Sequence, residues 1–75
     1  MDRKQLRILK HAVSHEERNY YATAPNCDSW NDVQTLVAEG FMRKGRTLIA
    51  AAGGLTYFHV TDKGREILRA NTNGP

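Results

Sequence analysis

The chain has a single cysteine, Cys27, so no internal disulfide can staple it, and a reducing compartment is its natural setting. It also lacks any apolar run approaching the ~18 residues that span a bilayer. The N-terminus, MDRKQLRILK, is charged where a secretory signal would need an apolar stretch. Repeats and low-complexity tracts are missing as well. These absences lead to the expectation of a soluble protein in the cytoplasm with no membrane partner.

Seventy-five residues leave room for one domain, expected over residues 1–70, with a disordered tail over 71–75. A chain this short buries only roughly 60% of the surface its unfolded form exposes, so the core must be small. Lysine and arginine number 11 against 8 acids, a net charge of +3. So mild an excess can meet phosphates only where the cations cluster.

They cluster first in residues 2–14, where Leu6, Leu9 and Val13, widened by Ile8 and Ala12, recur at helical spacing and predict a helix with one apolar face. Arg3, Arg7 and Lys10 fall on the opposite side of that helix. Lys4 and His11 flank them, and the patch contains no acid. After a polar break at residues 15–18, the tyrosines and threonine of Asn19 to Thr23 suit a short strand ended by Pro25 and Asn26. Asp28 or Ser29 then caps a second helix, with Ser29-x-x-Asp32 in the form of a capping box. Trp30, Val33, Leu36 and Val37 form its inner face, and Gly40 stops it. Phe41 to Lys44 leaves as a strand.

Gly53-Gly54 can make a two-residue hairpin turn, with Thr47 to Ala52 and Leu55 to Val60 as its arms. The alanines at 50–52 weaken the first arm, whereas Thr56 to Val60 is a strong strand. Phe58 and Val60 share its core side, and Trp30 and Phe58 are expected to be buried together. Thr61 caps a third helix running to about Ala70, where Gly64 permits close packing and Ile67 and Leu68 face inward. The expected fold is a small α/β (α+β) domain of three helices and a two- or three-stranded antiparallel sheet.

The order of these parts over residues 36–68, LVAEGFMRKG…LTYFHVTDKGREIL, resembles the C-terminal half of a winged helix-turn-helix domain of the MarR or PadR kind. In those domains a recognition helix ends in a leucine and glycine, a hairpin follows, and a T-x-x-G turn opens the next helix. The resemblance implies a winged-helix-like domain, a fold that serves as a DNA reader, an RNA reader or a protein-docking module. The sequence departs from the pattern at residues 15–28, which contain Pro25 and read as extended chain where the family has a further helix. The whole chain is also similar to small proteins encoded in tailed phages and prophages, through Arg18 to Tyr21, Thr23, Pro25, Asp28, Trp30, Leu36, Val37, Gly40, Met42, Phe58 to Thr61 and Gly64. That likeness implies a phage accessory protein working in the host cytoplasm.

Three surfaces are candidates for function. Arg3, Lys4, Arg7 and Lys10, together with Arg43, Lys44 and Arg46 at the wing, have the clustered positive charge that holds phosphates. The bland reading is a solvated helix face and a charged strand edge that discourages aggregation. The outward residues of the second helix, Asn31, Gln34, Thr35 and Ala38, include two side chains suited to reading adenine. Residues 28–39, however, hold Asp28, Asp32 and Glu39 and no lysine or arginine, which opposes insertion into a groove. The third surface is the apolar wing from Leu48 to Leu55, which suits a protein partner or self-association as a homodimer, unless it folds back over the core.

Tyr20 or Tyr21, with Arg18, could also stack on single-stranded nucleic acid, with at most one tyrosine able to do so because neighbours on a strand face opposite ways. His11 and His15 stand at a chelating spacing, with His59 and Cys27 elsewhere, but no motif supplies a third ligand. Neither a metal nor a cofactor is expected. Cys27 has no spaced partner for nucleophilic catalysis, so an enzyme is not expected either. The sequence thus points to a phosphate-contacting nucleic-acid binder of weak sequence specificity. The alternative is a module that docks a host or phage protein through the acidic helix and apolar wing.

Overall fold

In the computed structural model, which describes residues 2–14, 19–48 and 54–72, the first helix, α1 (Arg3–Ala12), starts at an aspartate cap. Asp2 Oδ1 accepts a hydrogen bond from the Gln5 N–H at 2.9 Å, satisfying one of the donors that a helix start leaves open. The helix ends before the expected Ser14. There the Ser14 hydroxyl and N–H both turn back onto the His11 carbonyl, at 3.0 and 3.3 Å, and the Tyr20 N–H takes the Ala12 carbonyl at 3.1 Å. Serine competing for helix carbonyls is a local reason to stop.

The strand β1 is shorter than expected, Tyr21–Thr23, because Asn19 contributes its side chain in place of its backbone. Asn19 Oδ1 accepts from the Val60 N–H at 2.8 Å and Asn19 Nδ2 donates to the Val60 carbonyl at 3.1 Å. The amide thereby completes the ladder where β1 has not yet begun.

Residues 25–29 run as turns into α2 (Trp30–Ala38). The capping box does not form. The Ser29 hydroxyl makes no cap bond and pairs instead with the Thr23 hydroxyl at 2.8 Å, while Asp32 reaches Lys4. The other end of α2 closes as the glycine predicts: Gly40 has φ 85°, its N–H bonds to the Val37 carbonyl, and the Phe41 N–H bonds to that of Leu36. This double closure is a Schellman turn, which requires the left-handed conformation that glycine adopts without strain.

The next strand, β2 (Met42–Leu48), is continuous where two separate pieces, Phe41–Lys44 and an arm from Thr47, were expected. It pairs antiparallel with β3 (Leu55–Val60), which also pairs antiparallel with β1, giving the sheet order β1-β3-β2. The expected turn at Gly53 and the alanine run 50–52 lie outside the described residues. Helix α3 (Asp62–Thr72) is capped by Thr61, whose Oγ1 accepts from the Gly64 N–H at 3.1 Å. It runs past Ala70, so Asn71 and Thr72 are helical and not part of a tail.

The three helices cover one face of the sheet. Phe58 and Val60 point to that face and join Ile8, Leu9, Ala12, Val33, Leu36, Met42 and Leu68 in one buried cluster. Trp30 differs from expectation: it is half-buried at the margin of the core, with its ring edge-on to Phe58 at 5.9 Å between centroids. The protein is therefore a small α+β domain of three helices and a three-stranded antiparallel sheet.

Candidate nucleic-acid interface

The buried stripe of α1, Ile8, Leu9 and Ala12, faces the sheet, and the helical period puts Arg3, Arg7 and Lys10 on the far side of the helix. All three are exposed. They border a groove of about 240 Å³ between α1 and α3, together with Leu6, Leu68 and Asn71. Lys4 leaves this set, since its ammonium lies 3.2 Å from an Asp32 carboxylate oxygen on α2. That contact is the only ion pair among the described residues, so none of Arg3, Arg7 and Lys10 is paired with a carboxylate among them.

The cations of β2 lie elsewhere. Met42 pairs with Val60 and faces the core, Arg43 pairs with His59 and faces away, and Lys44 pairs with Phe58 at the open edge of the inner side. The register then slips. Between the pairs Lys44–Phe58 and Thr47–Thr56, Gly45 and Arg46 together oppose Tyr57 alone, which is a β-bulge. The extra residue turns Arg46 onto the outer face, where it lines an open depression of about 540 Å³ with Tyr20, Leu48, Tyr57 and His59. Arg43 and Arg46 thus share the bare face of the sheet, on the side of the molecule opposite to Arg3, Arg7 and Lys10. The single bipartite basic surface read from the sequence is two surfaces.

Gly45 is what lets His59 lie flat over the bulge, since a Cβ there would stand 2.5 Å from His59 Nε2. The ring is held from its other side, with Nδ1 2.6 Å from the Asn19 carbonyl. A carbonyl can only accept, so the proton is on Nδ1, and in the neutral ring Nε2 is left as an acceptor. Tyr20 and Tyr57 meet edge to face above the same strand, 5.4 Å between centroids. The aromatic pair is therefore Tyr20 with Tyr57. Tyr21 belongs to the inner side, where it pairs with Phe58 and meets His11 edge-on at 5.8 Å.

On α2, Asn31 and Gln34 are exposed, as are Thr35 and Ala38. The Thr35 hydroxyl is turned back to the Asn31 carbonyl at 3.1 Å. Residues 25–29, directly ahead of α2, run as turns, and among the described residues no helix lies between α1 and α2. Of the apolar wing, Leu48 is exposed, Leu55 is half-buried, and residues 49–53 lie outside the described residues. His11 and His59 stand on opposite faces of the sheet, Cys27 is exposed in the turn before α2, and His15 and Arg18 are outside the described residues. No helix among the described residues is long and apolar enough to cross a membrane.

Tyr57 and His59 are the residues the sequence reading passed over as a surface pair. The signal was present: alternation along Leu55 to Val60 separates Leu55, Tyr57 and His59 from Thr56, Phe58 and Val60. The Gly45 bulge left no comparable trace. Comparison with known proteins adds nothing to these surfaces, since no family model, curated protein or solved structure matches the chain at a significant level.

Proposed function

We propose that the protein binds nucleic acid through its phosphates, with little preference for sequence, and that the outer face of α1 makes the main contact with duplex. The observation that carries this reading is the trio Arg3, Arg7 and Lys10, exposed on one helix face and ion-paired to no carboxylate among the described residues. Cations in that arrangement displace condensed counterions from a phosphate backbone, which gives affinity without sequence information. Base readout through Asn31 and Gln34 is not part of the proposal. Their helix carries Asp32, with Glu39 at its C-cap, and no cation, and the residues directly ahead of it, 25–29, run as turns where a seating helix would be needed. We place that binding in an accessory role in transcription or replication.

The test is a salt titration of binding to a mixed-sequence duplex. Affinity should fall steeply with salt, and replacing Arg3, Arg7 and Lys10 by alanine should lower the log–log slope by roughly one for each phosphate that is no longer neutralised. Absence of binding to any duplex or single strand at low salt would sink the reading and favour a protein partner at the acidic α2 and apolar wing.

A further inference from the structure

We infer that the bare outer face of the sheet is a stacking platform for single-stranded nucleic acid, with Tyr20 and Tyr57 as base contacts and Arg43 and Arg46 as phosphate contacts. This rests on the nucleic-acid reading above and assigns a second site, on the side of the molecule away from α1.

Helices cover the inner face of the sheet, whereas among the described residues no element covers the outer one. Its surface is aromatic and cationic: Tyr20, Tyr57 and His59 lie beside Arg46 and Leu48 around the depression, and Arg43 stands opposite His59. No described carboxylate lines it. That composition favours a polyanion with flat apolar faces over an acidic or apolar protein segment. A tyrosine face accepts any base, but only a base that has left the duplex stack can offer its own face, so the ligand is a single strand. Tyr20 and Tyr57 meet edge to face, so neither ring is stacked flat on the other. Tyr20 is 38% exposed.

The bulge brings the charge to this site. Without the extra residue, strict alternation from Lys44 would turn Arg46 to the inner side. With it, Arg46 lines the same depression as the two rings, where its guanidinium can meet the phosphate joining stacked bases or stack on a base itself. The Nε2 acceptor of His59 at the rim offers one hydrogen bond to a base amino or imino group.

The experiment compares binding of a short oligothymidylate and of a duplex of equal length to the parent, to Tyr20→Leu, Tyr57→Leu and Tyr57→Phe, and to the Arg43→Gln/Arg46→Gln pair. The leucine variants should lose on the order of tenfold in single-strand affinity and keep their duplex affinity. Tyr57→Phe should bind as the parent does, and the glutamine pair should flatten the salt dependence for the single strand only. Ring-proton NMR shifts of Tyr20 and Tyr57 on adding oligothymidylate to the parent give a readout independent of how the variants fold. Unmoved tyrosine resonances at saturating oligothymidylate, or leucine variants that bind it like the parent, overturn the platform. If duplex binding survives in that case, the phosphate-binding role of α1 stands; if neither nucleic acid binds at low salt, both readings fall.

Discussion

Gly45 and His59 show how much of the outer surface turns on one missing side chain. The His59 ring occupies the space above Gly45 and is tied down through Nδ1 to the Asn19 carbonyl, and Asn19 in turn holds both backbone groups of Val60. A methyl group at position 45 collides with His59 Nε2, and the Tyr57 carbonyl at 3.1 Å limits any shift away. Gly45→Ala should therefore destabilise the fold by about 1 to 3 kcal/mol as the ring is pushed off its partner. Thermal melting checks this, and His59→Ala combined with Gly45→Ala should recover much of the stability. A melting point unchanged by Gly45→Ala alone would mean that the bulge is looser than its geometry implies. Proton exchange at His59 Nδ1, followed by NMR, would report the same displacement.

Among the elements, α2 and α3 are tied together end to end by side-chain hydrogen bonds. The carbonyls that α2 leaves open at its C-terminal end are taken from the start of α3: Thr61 Oγ1 donates to the Gly40 carbonyl at 2.6 Å and Lys63 Nζ to that of Glu39 at 2.8 Å. The Lys63 ammonium also lies over the Phe41 ring, 4.9 Å from its centroid. Gly64 allows this approach, because a Cβ there would run into the Phe41 carbonyl and the Val60 side chain. One hydroxyl therefore ends one helix and begins the next. Thr61→Ala should cost about 1 to 2 kcal/mol, toward the upper end for a helix cap because the bond to Gly40 goes as well. Thr61→Ser should restore most of it in the same melting experiment. If alanine leaves the melting point unchanged, α3 does not depend on this cap.

For the whole molecule, stability hangs on one small core, and its members are not equal. Phe58 is 1% exposed at the centre of the cluster, whereas Trp30 is half-buried at its margin. Phe58→Ala should cost about 3 to 5 kcal/mol, enough to unfold so small a domain. Trp30→Ala, which opens an edge and not a closed cavity, should cost clearly less, and chemical denaturation of the two variants measures the difference. Equal destabilisation would place Trp30 in the core after all.

The sequence by itself determined the elements whose signals are local. The apolar stripe of α1, the Gly40 stop, the alternation of β3 and the Thr61 cap each depend on residues within a few positions of one another, and each is found close to where the pattern puts it. It also marked Arg3, Arg7 and Lys10 as one exposed face, because helical period alone sets that. Tertiary structure decided what depends on partners distant in the chain. Ser29 and Asp32 have the spacing of a capping box, yet Thr23 and Lys4 claim them once β1 and α1 are in place. Tyr20 found its ring partner at Tyr57, across the sheet, and Asn19 found Val60. The division of the cations between two sides of the molecule is of the same kind. Which face of a strand meets the helices, and where its register slips, is fixed by pairing between β2 and β3 and not by the order of residues in either strand.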